Sequence, residues 1–279
     1  MKRSAVIGAT GKIGSYIVRH LVASGEVPVA LSRGERSTAN VEWIRGDLRE
    51  PDKINLPPHT TLYCTANCSL FAKALPSLYR PGLERVVVFT TTSIATKLKS
   101  EIEAERIMLE GYAEAEKNIA GFCEANNVGW TILRPALVYD EGRDLNITRM
   151  TRTIRKLGFM LLSGAASGLR QPVHAEDLAI GAIAAAASPA AVNKTYAVPG
   201  KETITYREMV GRVFDGMGRP RRIISIPPAL WRAAFAAVKP FYPGFNVAMG
   251  DRMSKDMTFD PGDAERDFGW RPRDFHPRF

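Results

Sequence analysis

Long apolar runs, paired cysteines and a leader-like beginning are all missing from this 279-residue sequence. No stretch of about twenty consecutive apolar residues occurs, which argues against a membrane-spanning helix. The three cysteines, Cys64, Cys68 and Cys123, are an odd number without the spacing of a zinc site. We therefore expect reduced thiols, no metal and a cytoplasmic protein. The lack of a signal-peptide apolar core near Met1 favours the same compartment.

Negative charge is scarce in the second half of the chain. Residues 1–140 hold 17 Lys and Arg against 15 Asp and Glu, a net charge of +2. Residues 141–279 hold 21 against 14, a net charge of +7. This excess predicts an anionic partner for the second half, which would be a nucleotide diphosphate, a membrane surface or nucleic acid. A merely basic, solvated surface would have the same composition.

Three glycines stand between a short apolar run and an amphipathic helix pattern at the start of the chain. Gly8 allows a tight turn, Gly11 lets the backbone approach a pyrophosphate, and Gly14 lets the helix pack closely on the strand. The helix N-terminus then presents unpaired N–H groups to phosphate. This order of strand, turn and helix predicts a dinucleotide site. The other predicted contacts within the turn are Thr10, Lys12 and Ile13.

The end of the second predicted strand, Val27–Ser32, favours NADP over NAD. Sites selective for NAD place an acidic residue about twenty residues after the glycines, to bind the ribose hydroxyls. This sequence has Arg33 there, with Arg36 close behind, and a guanidinium can bind a 2′-phosphate through two hydrogen bonds. Glu35, an acidic residue in the same segment, weakly favours NAD.

Predicted strands alternate with helical segments through residue 135, which indicates a doubly wound parallel Rossmann sheet. We assign residues 1–163 to this domain and residues 164–279 mostly to a smaller C-terminal α/β lobe, with the helix at 178–187 returning to the Rossmann domain. The fifth strand is predicted over Arg85–Ser93. Ligands of such sheets bind beyond the carboxyl ends of the strands. The expected further cofactor contacts there are Asp47, Leu48, Thr65 and Pro135.

Several motifs resemble the NAD(P)-dependent epimerase/dehydratase family, the extended and atypical short-chain dehydrogenases/reductases. They are Gly-Ala-Thr-Gly-x-x-Gly at 8–14, Gly-Asp-Leu at 46–48, Thr-Ile-Leu-Arg-Pro at 131–135, Arg-Gln-Pro-Val-His-x-x-Asp-Leu-Ala at 170–179 and Phe-Gly-Trp-x-Pro at 268–272. The resemblance covers nearly the whole chain. It implies hydride transfer between a nicotinamide and a sugar carbon.

The resemblance also implies a Tyr as acid/base, a Lys four residues later that lowers its pKa and binds the ribose, and a Ser or Thr that polarises the substrate. Thr92 falls at the hydroxyl position and Lys117 at the lysine position. However, Tyr112 precedes Lys117 by five residues, so an ideal helix separates them by about 140°. Tyr112 can serve only if the helix begins late or carries a π-bulge near Gly111. Otherwise the site binds cofactor without turnover, or another residue is the acid.

In the second half, the resemblance implies that Arg170 binds the diphosphate of a nucleotide sugar, with Arg252 as a weaker second contact. An ion pair of Arg170 with Glu176 or Asp177 is the alternative, and His174 is expected to be structural. We therefore expect a nucleotide-linked or activated sugar as substrate and no nucleic acid. The rival functions are an NADP-binding regulatory or assembly protein without turnover, and a reductase of a lipid or quinone-type substrate. A homodimer through the helix predicted at 100–126 is also consistent with the resemblance.

The stretch 228–245 is apolar on most helical faces, with Trp231 and Phe235 four residues apart. Arg232 and Lys239 flank it, and Phe241, Tyr242 and Phe245 extend it. It is too short to span a bilayer, but aromatic and basic residues around an apolar helix suit a membrane interface. The alternative is a helix that packs within the C-terminal lobe.

Overall fold

The computed structural model describes residues 3–97, 102–238 and 248–279. The strands, in chain order, are β1 (Ser4–Ile7), β2 (Val29–Ser32), β3 (Glu42–Arg45), β4 (Thr61–Cys64), β5 (Arg85–Phe89), β6 (Gly129–Pro135), β7 (Leu137–Tyr139), β8 (Met160–Ser163), β9 (Leu169–Arg170), β10 (Pro172–His174), β11 (Lys194–Val198), β12 (Ile204–Thr205) and β13 (Ile223–Ile226). The helices are α1 (Gly14–Ala23), α2 (Cys68–Leu78), α3 (Ser93–Lys97), α4 (Glu103–Ala125), α5 (Ile147–Leu157), α6 (Ala175–Ala187), α7 (Tyr206–Gly216), α8 (Pro228–Val238), α9 (Ala248–Arg252) and α10 (Gly262–Phe268). Short 3-10 turns lie at Pro51–Lys53 and Pro189–Ala191.

The chain divides into two compact units, each assembled from pieces that are not contiguous in the sequence. The first comprises Met1–Ala136, Ala175–Val198 and Asp260–Pro272, and the second comprises Leu137–His174, Pro199–Phe259 and Arg273–Phe279. This division differs from the predicted one, which placed residues 1–163 in one domain and residues 164–279 mostly in another. Residues 137–163 fall in the second unit because β7 pairs with β10 and β8 pairs with β13. Helix α6 falls in the first unit.

A seven-stranded sheet forms the centre of the first unit, in the order β3-β2-β1-β4-β5-β6-β11. Every neighbouring pair is parallel. Parallel strands are covered on both faces, which is why β5 reads as an unbroken apolar run whose Val86, Val87 and Val88 are fully buried. The predicted parallel Rossmann sheet is thus confirmed. The strand order reverses at β1, which lies between β2 and β4, and a ligand crevice is expected at such a point.

Several predicted boundaries shift by a few residues. Strand β5 ends at Phe89 rather than Ser93, and Ser93 begins α3. Thr205 is the N-cap of α7, since its side chain accepts the N–H of Glu208 at 3.0 Å. The Glu208 carboxylate does not reach back to the Thr205 N–H to form a capping box. It instead accepts hydrogen bonds from Arg212 at 3.2 Å and from Arg221 at 2.8 Å.

A buried arginine, Arg85, links three elements of the first unit. Its Nη2 donates to the hydroxyl of Thr131 on β6 and to the carbonyl of Ala185 in α6, each at 2.8 Å. Burial lowers the pKa of Arg85. Carbonyls of the last turn of a helix carry partial negative charge, so the end of α6 stabilises this guanidinium.

The second unit packs α5, α7 and α8 with two-stranded pairings around its own apolar core. Tyr139, Phe214, Trp231 and Phe275 are buried there. Because Trp231 is only 4% exposed, it faces the core and not the solvent, which corrects the interface expectation for that side chain. Lys239, Phe241, Tyr242 and Phe245 lie outside the described residues. None of the helices within the described ranges has the length and apolarity needed to cross a membrane.

Candidate cofactor and catalytic site

The glycine turn between β1 and α1 has the geometry that its sequence predicts. Gly8 adopts φ +80°, a left-handed conformation that favours glycine, and a Cβ there would lie 2.7 Å from the Thr65 hydroxyl. A Cβ on Gly14 would overlap the carbonyl oxygen of Gly8. The N–H of Gly11 closes the turn by donating to that oxygen at 2.9 Å. Gly8, Gly11 and Gly14 therefore fit a dinucleotide, because no side chain covers the turn backbone where a pyrophosphate would approach.

Thr65, a predicted cofactor contact, lies directly under this turn. Its hydroxyl donates to the carbonyls of Gly8 at 3.1 Å and Ile7 at 3.3 Å. Thr65 thus fixes the turn from the end of β4. The other turn residues differ in accessibility: Thr10 and Gly11 are exposed, Lys12 is half-buried, and Ile13 is buried at the start of α1.

The residues predicted around the adenosine lie at the ends of β2 and β3. Arg33 and Arg36 are both exposed. Asp47 accepts hydrogen bonds from the backbone and guanidinium of Arg49, which lowers the pKa of its carboxyl to about 2, with Arg33 contributing a smaller effect. Leu48 is 8% exposed and packs in the apolar core of the first unit. Most of its side chain is therefore in contact with the core of the first unit, and the expected cofactor contact at Leu48 stays a prediction.

Helix α4 does not bring Tyr112 and Lys117 together. It is a continuous α-helix from Glu103 to Ala125, so neither the late start nor the π-bulge that could have aligned the two residues is present. Lys117 is exposed, whereas Tyr112 is half-buried against the core of the first unit. Five residues place the two side chains about 140° apart on this helix, so the arrangement of Tyr and Lys that the resemblance implies is not formed by Tyr112 and Lys117.

Tyr112 itself lies near the carboxyl end of β4. Its hydroxyl accepts a hydrogen bond from the Asn67 side chain at 3.2 Å, and Asn67 follows Thr65 by two residues. Burial, and to a lesser degree the nearby Cys68 thiol, raises the pKa of Tyr112. The phenol therefore stays protonated at neutral pH and can donate a proton.

The residue one turn after Tyr112 is Glu116, which the sequence analysis missed. Its buried carboxylate accepts the hydroxyl of Thr90 at 2.6 Å and the Nε of Arg134 at 2.9 Å, and it also accepts the Nη2 of Arg134. Burial, and to a lesser degree this carboxylate, raises the pKa of the Cys68 thiol to about 12. The spacing Tyr-x-x-x-Glu was the available signal, because it puts both side chains within about 40° on one helical face.

Thr92 and Pro135, predicted at the catalytic hydroxyl and the cofactor, contact each other. The Thr92 hydroxyl donates to the Pro135 carbonyl at 3.0 Å, and the Thr92 N–H donates to the same oxygen at 3.1 Å. Thr92 is 5% exposed. The hydroxyl proton of Thr92 is therefore held in a hydrogen bond within the protein, although the hydroxyl oxygen can still accept a hydrogen bond from a ligand.

The predicted phosphate ligand Arg170 is buried among backbone carbonyls of the second unit. It donates to the carbonyls of Leu169 and Lys255, both at 2.7 Å, and to that of Arg252. Its guanidinium lies 5.4 Å from the ring centroid of Tyr206. Arg170 therefore connects strand β9 to residues 252–255, and the half-buried Arg252 contributes its carbonyl to this contact.

One group in the second unit has the donor atoms of a metal site. Asp140, Glu141 and His174 offer ligand atoms within 4.8 Å of one another. His174 Nε2 lies 3.2 Å from Glu141, and its ring packs edge-on against Tyr139 at 5.0 Å. Arg143 lies 3.3 Å from Asp140, where it competes with any cation.

Comparison with known proteins supplies the remaining evidence. Residues 8–157 match the family model described as NAD(P)H-binding. A relative from Arabidopsis thaliana, named NADH dehydrogenase (ubiquinone) 1 alpha subcomplex subunit 9, mitochondrial, is 25% identical over 267 residues. The alignment covers 84% of this chain and 62% of that protein, so the chain spans less than two thirds of it.

A second relative, named 2-alkyl-3-oxoalkanoate reductase, comes from Stenotrophomonas maltophilia. It is 22% identical over 315 residues, with 96% of this chain and 94% of that protein covered. Among solved structures, the UDP-glucuronic acid 4-epimerase of Bacillus cereus, in complex with UDP-glucuronic acid and NAD, has a TM-score of 0.73 at 14% identity. This likeness covers 97% of this chain and 94% of the other, and at that identity it establishes the fold alone.

Proposed function

Since the chain belongs to the NAD(P)H-binding family, we propose that it is an NADP-dependent epimerase, dehydratase or ketoreductase acting on a nucleotide-linked or activated sugar. The observation that carries cofactor binding is the glycine turn, with Gly8 left-handed and Gly14 in contact with it. The turn backbone and the N-terminus of α1 would bind the pyrophosphate. When bound, the nicotinamide supplies or accepts the hydride.

Tyr112 is the proposed acid. Its protonated phenol, near the carboxyl end of β4, can donate a proton to the oxygen of a carbonyl that is being reduced. Asn67 orients this hydroxyl by donating to it. Thr92 is the proposed acceptor for a substrate hydroxyl, because its own proton is held by Pro135.

The preference for NADP over NAD rests on Arg33 and Arg36, which are exposed at the end of β2. Replacing Arg33 with Ala should weaken NADP binding by about 1–3 kcal/mol, the range for a charge-assisted hydrogen bond, and leave NAD binding nearly unchanged. Isothermal titration calorimetry with both cofactors measures this. Equal losses for the two would refute the assignment.

A nucleotide sugar is the proposed substrate because the second half carries a net charge of +7 and because the similar Bacillus cereus structure is an epimerase bound to UDP-glucuronic acid. Arg252 stays a proposed phosphate contact. Arg170 is a less suitable one, since its guanidinium already donates to three carbonyls. Incubation with UDP-sugars, followed by analysis of the sugar products and of cofactor absorbance, tests the substrate class.

A lipid-type ketone is the second candidate substrate, favoured by the relative named 2-alkyl-3-oxoalkanoate reductase. The same absorbance assay with a long-chain 3-oxo acid separates it from the first. Oxidation of the reduced cofactor by the oxo acid, with no response to UDP-sugars, would select this function.

Binding of NADP without turnover is a third candidate, favoured by Glu116. A carboxylate paired with Arg134 stands where an ammonium would be needed to lower the pKa of Tyr112. The Arabidopsis relative is itself named as a subunit of a larger complex. This function predicts tight NADP binding and no absorbance change with any substrate of either class.

We place the protein in the cytoplasm, where the free and buried Cys64, Cys68 and Cys123 stay reduced. Dimerisation through α4 is the proposed assembly, because Ile107 and Met108 on that helix are 59% and 46% exposed. Light scattering of the wild type and of Ile107→Asp tests it. A monomeric wild type would refute the dimer.

We propose peripheral membrane contact through 228–245, because Leu230 is 61% exposed. The Trp231 side chain is buried and takes no part in this contact. Flotation with anionic and with neutral vesicles at low salt is the measurement. If the protein fails to float with anionic vesicles, α8 is a packing helix only.

A further inference from the structure

The C-terminal end of helix α5 lies among exposed basic and exposed apolar side chains of the second unit. Arg155, Lys156 and Leu157 are the last three residues of the helix. Strand β8 follows after two residues and pairs in parallel with β13, which makes Leu161 and Ile224 register partners. All of these residues belong to the same compact unit.

Acidic residues are missing from the segments that form this region. Residues 145–175 and 216–230 together hold eight Arg and Lys and no Asp or Glu. Arg152, Arg155 and Lys156 are exposed on α5. Within the described part of the chain, no carboxylate lies within 4 Å of their side-chain nitrogens. The positive charge of this helix is therefore open to an anionic partner outside the chain.

Two further arginines bring positive charge to the same end of α5. The Arg219 guanidinium donates to the carbonyl of Ile154 at 3.2 Å. The backbone carbonyl of Arg222 accepts the N–H of the first residue of β8 at 2.9 Å. Both arginine side chains are exposed. Asp215, the acidic residue closest to them in the chain, is hydrogen-bonded to Arg221 at 2.9 Å, so it does not neutralise them.

Exposed apolar side chains lie beside these charges. Leu157 is 50% exposed, Leu161 38% and Ile224 47%. Leu162, the next residue of β8, is fully buried, so one face of the β8–β13 pair packs on the core and the other is open. Neighbouring exposed apolar residues mark an interaction surface, whereas a merely solvated basic surface has no need of them. A nucleotide diphosphate or a nucleic acid would likewise bind the arginines and leave the apolar side chains unexplained.

We propose that this region binds the surface of a lipid bilayer that contains anionic phospholipid. It is named the α5 surface and comprises Arg155–Leu157, Leu161, Arg219, Arg222 and Ile224. The basic groups would bind the headgroup phosphates, and the three apolar side chains would enter the boundary between headgroups and acyl chains. The α5 surface lies outside the stretch 228–245 and depends neither on the contact proposed there nor on cofactor binding.

Vesicle flotation tests the proposal with two kinds of vesicle at low salt. One kind is phosphatidylcholine alone, and the other is equal parts of phosphatidylcholine and phosphatidylglycerol. The variants are Arg155→Gln/Lys156→Gln and Leu157→Ser. Their matched controls are Arg45→Gln/Lys73→Gln, which removes two exposed charges from the first unit, and Leu230→Ser, which changes the stretch 228–245. Circular dichroism checks that each variant is folded.

The wild type should float with the phosphatidylglycerol vesicles only, and raising the salt concentration should release it. Arg155→Gln/Lys156→Gln should weaken this binding about tenfold to thirtyfold, because each basic residue near an anionic bilayer strengthens binding about fivefold. Leu157→Ser should weaken it by a smaller factor. The control without Arg45 and Lys73 should bind within about twofold of the wild type, because charges far from the bilayer are screened.

Three results would overturn the proposal. The first is a wild type that does not float with phosphatidylglycerol vesicles. The second is an equal loss in the two double variants, which would indicate attraction by net charge and not by the α5 surface. The third is a loss that is confined to Leu230→Ser, which would assign the membrane contact to 228–245 alone. Calorimetry with soluble polyglutamate completes the test, since binding to polyglutamate without binding to vesicles would replace the lipid by an acidic protein segment.

Discussion

Replacing Glu116 with Gln tests the interpretation of helix α4 directly. The substitution keeps the shape of the side chain and an acceptor for Thr90, but it removes the negative charge that faces Arg134. Removing one partner of a buried ion pair costs about 3–5 kcal/mol, because the other charge stays buried and uncompensated. The Glu116 side chain is 8% exposed and that of Arg134 is 29% exposed, so water partly solvates the remaining guanidinium. We therefore expect a loss of about 2–3 kcal/mol in the free energy of unfolding.

Thermal unfolding followed by circular dichroism measures this loss as a decrease in Tm of about 4–10 °C. Glu114→Gln is the matched control, since Glu114 is exposed on the same helix and should change stability by less than about 0.5 kcal/mol. A double-mutant cycle with Arg134→Met should give a coupling energy of about 1 kcal/mol or more. Equal Tm values for Glu116→Gln and Glu114→Gln would show that the pair does not stabilise the fold.

Three further predictions concern the site and the fold. Lys117→Ala should leave NADP affinity and any turnover within about twofold of the wild type, because Lys117 is exposed and lies on a different face of α4 from Tyr112. Tyr112→Phe should lower kcat at least about tenfold if the phenol is the acid. Absorbance kinetics on both variants decides between them, and the reverse ranking would contradict the helix geometry. Gly14→Ala should abolish NADP binding measured by calorimetry, because the new methyl group would overlap the Gly8 carbonyl; retained affinity would show that the turn can open at no cost. Burial lowers the pKa of His59 in the folded state, whereas in the unfolded state the pKa is about 6.5. As the pH falls below about 6.5, the unfolded state therefore binds a proton that the folded state does not, and the free energy of unfolding should decrease. Urea unfolding between pH 7.5 and 5.5 measures this decrease, which His59→Asn should reduce; an equal slope in the variant would assign the proton uptake to other groups.

The sequence alone predicts the structure wherever the interactions that determine it join residues close together in the chain. The turn at Gly8 and Gly14 joins a strand to a helix within a dozen residues, so each glycine has a role that is visible in the spacing. The strands around Val86–Val88 follow from apolar runs that only a sheet covered on both faces tolerates. The cap at Thr205 also depends on residues three positions apart.

The structure differs from the expectations where contacts between distant residues decide the local arrangement. Arg170 has the expected motif position, but the carbonyls of residues 252 and 255 that surround it are more than 80 positions away. Glu116 was missed because its partners lie on β5 and β6, and because Lys117 occupies the position implied by the family resemblance. The boundary near residue 163 was misplaced since β8 pairs with β13, a strand some 60 residues further on. No local pattern encodes any of these contacts.

The buried guanidinium of Arg85 has a consequence for how the chain is made. Its acceptor Ala185 is synthesised 100 residues later, and burying the charge without that carbonyl would remove one of the few acceptors of the guanidinium. The first unit also recruits Ala175–Val198 and Asp260–Pro272 after its long opening piece. A nascent chain that has emerged only through Ala136 therefore holds an incomplete sheet with a solvated arginine. Completion of the first unit becomes a late event of synthesis, and the opening piece expressed alone should expose apolar surface and require a chaperone to stay in solution.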